Sequence, residues 1–277
     1  GCGYGISLQV RVVVYYFGEY YLSVCTMTEE ELKQIQENPE LLVRFMASRR
    51  FSNFARYMNP KLDMTNFHKV YYEVLDKFAK GEIRKLIVSV SPQCGKSEGS
   101  SRLLPAFLLG LNPELKIVIG SYNADQAKSF NRDVQRIVNS EAYKATFPDT
   151  YFNNGKLRMD NVYLCNSEVS EPVGHSGFVR AVGRNGALTG KAVDILILDD
   201  VYKDYNEANS PIIREQAFKW YSSVCRTRLH NDSQELIVFT RWHEDDLIGR
   251  IEQSGEPIIE LKTWGQLKDI PFGAWVY

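Results

Sequence analysis

Val88-Ser89-Val90-Ser91-Pro92-Gln93-Cys94-Gly95-Lys96-Ser97 is the stretch on which the fold turns. The run Lys85-Leu86-Ile87-Val88-Ser89-Val90 reads as a short buried parallel strand, and a helical pattern follows Ser97. A strand that breaks into such a loop and re-forms as a helix can wrap backbone N–H groups around phosphate oxygens at the positive helix end. Gly95 lets the backbone come close, Lys96 brings a cation to the phosphates, and the Ser97 hydroxyl suits Mg²⁺. Ser91, Pro92, Gln93, Cys94 and Glu98 complete the expected ATP-binding lining. The glycine usual five residues before Gly95 is replaced by Val90. Gly-Lys-Ser alone is common by chance, so its place between a strand and a helix carries the reading.

A second stretch supports the first. Asp194-Ile195-Leu196-Ile197-Leu198-Asp199-Asp200 is an apolar strand ending in two carboxylates, the Walker B arrangement, downstream of a divergent Walker A loop. Asp199 is expected to hold Mg²⁺ through water, and Asp200 to orient and deprotonate the attacking water. A strand ending in a solvated Asp-Asp turn is the bland alternative, and the order and spacing of the two motifs argue against it.

Outward from these motifs, strands and helices alternate. Lys116-Ile117-Val118-Ile119-Gly120 gives a strand, Asp125 to Val138 a helix, Ile195–Leu198 and Leu236–Phe239 further strands, and about Glu207 to Arg228 a helix. Such alternation predicts a mostly parallel sheet flanked by helices. Residues 27–80 read as an N-terminal helical region: Thr28 and Glu31 have capping-box spacing, Val70, Val74, Leu75 and Phe78 recur at helical intervals, and Gly81 ends the run. Residues 81–277 form the expected core, with an irregular insertion near 145–190 that holds β-like pieces at Val162–Cys165 and Phe178–Val182. Residues 1–26, with the β-branched stretch Val10 to Phe17, read either as a leader or as an extended segment pairing with the sheet edge.

Composition excludes several classes. With 33 Lys+Arg against 34 Asp+Glu, no overall basic field marks a nucleic-acid partner, so any DNA contact needs a local patch or several subunits. The five cysteines, Cys2, Cys25, Cys94, Cys165 and Cys225, show no CxxC spacing, which argues against a zinc site or a disulfide framework and for reduced thiols. No apolar run approaches the roughly 20 residues a membrane-spanning helix needs.

At this point the residues resemble one family. Ser91-Pro92-Gln93-Cys94-Gly95-Lys96-Ser97-Glu98 is similar to the divergent Walker A of phage terminase large subunits, which often lacks the first glycine. Gly120-Ser121-Tyr122-Asn123-Ala124, Ser140-Glu141-Ala142-Tyr143 with Phe147-Pro148, and Gly183 to Gly190 resemble that family's following segments. Thr240-Arg241-Trp242-His243-Glu244-Asp245-Asp246-Leu247-Ile248-Gly249-Arg250 resembles its coupling segment, and the likeness spans about residues 64–255. The resemblance implies a RecA-like (ASCE) P-loop ATPase domain with a small N-terminal helical subdomain. It also implies a homo-oligomeric ring, with double-stranded DNA, a portal protein and a small terminase subunit as partners in the host cytoplasm. The family's nuclease domain follows this one, and a chain stopping at Tyr277 is expected to be a motor fragment without it.

The resemblance also assigns roles. Thr240 and Arg241 would sense the γ-phosphate and pass the signal on. Pro92 and Gln93 stand where the family often carries a loop arginine, so a neighbouring subunit would supply one; Arg226 and Arg228 are the candidates, Arg228 preferred. Phe67 and His68 lie where adenine contacts are often placed, although a core Phe with an exposed His fits equally. His243 and Glu244 read as helix-capping residues, and Trp220, Tyr221 and Trp264 as packing. Cys94, at a helix N-terminus, is a position where a thiol pKa can fall. Two alternatives stand beside a packaging motor: a helicase-like or other nucleic-acid-stimulated NTPase, and a nucleotide-binding switch without turnover.

Overall fold

A capping box opens the first helix as the spacing predicts: the Thr28 hydroxyl accepts the Glu31 N–H at 3.2 Å, and the Glu31 carboxylate accepts the Thr28 N–H at 2.8 Å. The computed structural model describes residues 7–16, 19–38, 40–62, 64–152, 168–188, 190, 192–255 and 257–262. These fall into two units, residues 1–46 and 47–277. In the first, β1 (Ser7–Tyr16) and β2 (Glu19–Thr28) pair antiparallel from Ser7↔Thr28 to Tyr16↔Glu19. Helix α1 (Glu29–Glu37) follows, then α2 (Glu40–Arg49), whose residues up to Met46 belong to this unit, with Leu32, Ile35, Leu42 and Phe45 gathered around Met46. Of residues 1–26, expected as a leader or as an extended segment at the sheet edge, the described ones lie in β1 and β2, which pair with each other in a separate two-stranded sheet. Two consecutive runs rich in Val, Tyr and Leu satisfy each other's backbone locally.

The second unit begins with α3 (Phe51–Met58) and α4 (Asn66–Ala79). Gly81, at φ 78°, closes α4 in a Schellman arrangement: its N–H reaches Phe78 O at 3.0 Å and the Glu82 N–H reaches Lys77 O at 3.0 Å. The strands β3 (Lys85–Ser89), β4 (Lys116–Ser121), β5 (Val169–Ser170), β6 (Phe178–Gly183), β7 (Val193–Asp199), β8 (Leu229–Phe239) and β9 (Ile259–Lys262) form one sheet. Its order is β5-β6-β4-β7-β8-β3-β9, and only the β5–β6 pairing is antiparallel. The remaining helices are α5 (Leu104–Leu111), α6 (Ala124–Val138), α7 (Glu141–Thr146), α8 (Tyr205–Asn209), α9 (Pro211–Trp220) and α10 (Leu247–Gln253).

Alternate strand residues feed the two faces, as pleating requires. Leu86 and Val88, Ile117 and Ile119, and Leu236 and Val238 join one core with Phe54, Tyr71 and Phe107. Ile87, Val118, Ile237 and Phe239 join the other with Trp220, Tyr221 and Leu247. Both faces are thus covered, which is why the strands read as unbroken apolar runs. The result is a mostly parallel, helix-flanked α/β sheet, as the alternation of strands and helices predicts.

Two details differ from expectation. Phe178–Val182, read as a β-like piece inside an irregular insertion, belongs to a full strand of the main sheet, Phe178–Gly183 paired with β4; the polar, glycine-rich residues around it disguised its place in the sheet. The Val162–Cys165 piece lies outside the described residues. The long helix expected over 207–228 is broken: Ser210 caps α9 with its hydroxyl accepting the Ile213 N–H, Pro211 starts it, and a π-helical turn (Tyr221–Cys225) and a 3₁₀ turn (Arg226–Arg228) end it.

Candidate active site

The parallel register brings three strand ends to one edge of the sheet: Ser89 opposite Phe239, and Asp199 opposite Val238. The loop after β3, the carboxylates after β7 and Thr240 after β8 therefore share the edge where open α/β sheets bind ligands. Val90, where a glycine was expected, stays buried, and its carbonyl accepts the Thr240 hydroxyl at 3.0 Å. The residue lies just past the end of β3 with its side chain in the core, where a valine is favoured over glycine. The turn is made beyond it, with Gln93 at φ 60° and Gly95 at φ 77°. A Cβ on Gly95 would lie 2.9 Å from His68 Nε2, so glycine is needed there for both space and conformation.

Lys96 and Ser97 form the first turn of the next helix, which continues through a π-helical segment (Glu98–Leu103). Lys96 is buried, and its Nζ lies 3.3 Å from Asp200 Oδ2. Its carbonyl accepts the Tyr71 hydroxyl at 2.8 Å and the Ser100 hydroxyl at 2.9 Å. The Ser97 hydroxyl donates to Asp199 Oδ1 at 3.0 Å. Asp199 is fully buried; burial and the neighbouring Asp200 carboxylate push its pKa up, while Ser101, Lys96 and Ser97 pull the other way. Asp200 occupies the left-handed region at φ 46°, pinned by its N–H to Val238 O and by the Tyr122 N–H to its own carbonyl, each at 3.0 Å.

Lys96, Ser97, Asp199 and Asp200 are thus brought together by the fold. The donor set suits Mg²⁺, a hard cation that takes a hydroxyl and carboxylates and keeps waters and phosphate oxygens as its other ligands. Among the described residues no group of three or more His, Cys, Asp or Glu side chains gathers as a self-contained metal centre, so a cation here would need the phosphates as well.

Other expected residues sit elsewhere. Arg241 does not reach the loop: its guanidinium holds Asp246 at 3.1 Å, Glu252 at 2.8 Å and the Glu244 carbonyl at 3.0 Å, clamping the start of α10. The cap of α10 is Asp246, whose side chain accepts the Gly249 N–H; His243 accepts the Asp245 N–H, so neither His243 nor Glu244 caps the helix. Glu98 turns towards Asn59, at 3.3 Å, and Arg102, at 3.7 Å. Phe67 is a core ring stacked on Tyr71 at 5.2 Å, unavailable to a base, and His68 is buried with Nδ1 2.8 Å from Thr65 Oγ1. Burial pushes the Cys94 thiol up, outweighing the helix start and Lys96. Trp220 is packed in the core and donates to Gly186 O at 2.9 Å, while Trp264 lies outside the described residues.

Arg226 pairs with Glu235 at 3.7 Å. Arg228 precedes the 11 residues of β8, and its buried Nε has no hydrogen-bond partner among the described residues. Leu229 pairs with Val193, six residues before Asp199 on β7, so at about 3.3 Å per residue Arg228 stands roughly 20 Å from the site, beyond the reach of its side chain to the loop of its own chain. Sequence reading missed Ser100, Ser101 and Tyr71, because what joins them to the site is contact across the fold and no local motif.

Residues 87–269 match the family described as terminase large subunit, T4likevirus-type, N-terminal. The ATPase domain of the Thermus phage P74-26 large terminase is similar at 22% identity over 56% of this chain and 59% of that one, with a TM-score of 0.38. An arginine-to-alanine variant of that domain gives 22% over the same shares and a TM-score of 0.36. The match therefore spans less than two thirds of the solved chains. No curated protein matches. With more than half of its residues inside that family's bounds, the chain belongs to the terminase large subunits, as their N-terminal part.

Proposed function

We propose that this chain binds ATP with Mg²⁺ at the 91–98 loop and hydrolyses it to drive double-stranded DNA into a procapsid. The carrying observation is the meeting of Lys96, Ser97, Asp199 and Asp200 at one sheet edge, from sequence positions about a hundred apart. Lys96 neutralises the phosphates, and the loop N–H groups between Pro92 and Ser97 cradle them. Ser97 and Asp199 would hold Mg²⁺, which would neutralise charge on the phosphate oxygens. Asp200 orients the attacking water and takes its proton. Lys96 Nζ lies 3.3 Å from Asp200 Oδ2, so phosphate at the loop would share the lysine's charge with the carboxylate that faces the attacking water.

Thr240 ties the end of β8 to the base of the loop and can transmit its movement to α10 through Arg241. Arg228, remote from its own loop, fits a role at a neighbour's site, which supports a homo-oligomeric ring. The portal protein, the small terminase subunit and the host cytoplasm belong to this reading through the family. Among the described residues no helix is long and apolar enough to cross a membrane.

The test is ATP affinity with and without Mg²⁺. The parent is expected to bind more tightly with the cation, and Lys96→Ala to lose at least about tenfold, the equivalent of one charge-assisted contact of ~1.4 kcal/mol or more. Equal binding by both would contradict the assignment. Strand separation on a forked duplex, without translocation on blunt duplex, would replace the packaging motor by a helicase.

A further inference from the structure

Asp199 is held by more than the two motifs. It is wholly buried, and three serine hydroxyls from the helix after the loop surround its carboxylate. Ser97 reaches Oδ1 at 3.0 Å, whereas Ser100, at 3.4 Å, and Ser101, in a shorter bond, both reach Oδ2. Ser100 and Ser101 are fully buried and Ser97 partly so, which makes Oδ2 the inner oxygen and Oδ1 the outer one.

Ser100 has one proton and a nearer acceptor, the Lys96 carbonyl at 2.9 Å. That leaves Ser101 as the donor for Oδ2. The three serines come to one side because they sit three and four residues apart in a helix whose first turns are π-helical, a form that recurs at functional sites.

We infer that Ser101 is a positioning residue for the cation: it fixes the inner oxygen of Asp199 so that the outer oxygen stays beside Ser97, where Mg²⁺ would be held. This rests on the nucleotide-site reading given above. A buried carboxylate without that anchor could rotate about its terminal torsion, which is soft, and present the wrong oxygen. Partners that orient a metal-holding group typically change metal affinity by about 10–100-fold when removed.

The experiment measures Mn²⁺ binding, by electron paramagnetic resonance, to the whole chain saturated with ADP, alongside ADP affinity in EDTA and the melting temperature. Ser101→Ala is expected to weaken Mn²⁺ binding about tenfold or more while leaving metal-free ADP affinity unchanged. Ser101→Cys, close in size but a weak donor, is expected to fall between, and it carries the test should the alanine variant not fold. Mn²⁺ affinity equal to the parent's overturns the inference and leaves the nucleotide site standing. Metal-free ADP affinity falling by the same factor also overturns it, since Ser101 would then support the loop and not the cation. A parent that binds ADP in neither condition removes the nucleotide-site reading, and this inference with it.

Discussion

Three residues of the site, Gln93, Gly95 and Asp200, take a backbone conformation that most residues avoid. Asp200 tolerates φ 46° because a short polar side chain is among the few that do, and asparagine shares that tolerance. Asp200→Asn is therefore the variant that changes chemistry without straining the turn. Gly95 has no such substitute. Gly95→Ala is expected to cost about 1–2 kcal/mol for the left-handed conformation alone, seen as a melting temperature lowered by roughly 2–8 °C, with a further loss from the approach to His68. An unchanged melting temperature would contradict the loop geometry. Lys96, Ser97, Asp199 and Asp200 were legible in the sequence because each motif is contiguous and its neighbours announce it. Ser101 was not, since only the fold puts a helix serine beside a carboxylate from a distant strand.

Among the elements, the central strands were legible because burial on both faces leaves an apolar run that cannot be mistaken. β9 was not: Ile259-Glu260-Leu261-Lys262 is four residues of alternating character at the sheet edge, and nothing local separates it from a loop. The break between α8 and α9 falls at Ser210-Pro211, a capping residue followed by a helix-starting proline, which the single helix expected over 207–228 overlooked. The residues before α10 are held by charge. Asp245 meets Arg250 at 2.8 Å and Arg214 at 3.0 Å, and Arg250 meets Glu215 at 2.6 Å, joining α9 to α10. The hydrogen bond from Arg250, with Arg214 beside it, brings the Asp245 pKa down to about 2. A carboxylate with a depressed folded-state pKa stabilises the fold above its ordinary value of 3.8 and loses that contribution as pH falls towards 2. The melting-temperature gap between parent and Asp245→Asn is accordingly expected to be largest above about pH 4 and to shrink at lower pH. A gap independent of pH would mean that the pair contributes by shape and not by charge.

At the scale of the whole molecule, the near balance of positive and negative side chains and the placement of Arg228 point the same way. In the function proposed above, a neighbouring subunit would supply the arginine and several subunits together the DNA contact. The β1–β2 hairpin was not foreseen, since residues 1–26 read equally as a leader or as an extended segment at the sheet edge, and pairing of neighbouring strands leaves no longer-range mark in the sequence. The central claim is that the edge formed by β3, β7 and β8 hydrolyses ATP. Its most direct test is Mg²⁺-dependent phosphate release from ATP against protein concentration, for the parent and Asp200→Asn, with ATP binding followed in parallel. The account predicts a rate that needs the cation, rises faster than linearly with concentration, and falls at least about 100-fold in the variant while ATP stays bound. Hydrolysis undiminished by Asp200→Asn, or ATP bound by the parent with no hydrolysis at any concentration, would contradict it.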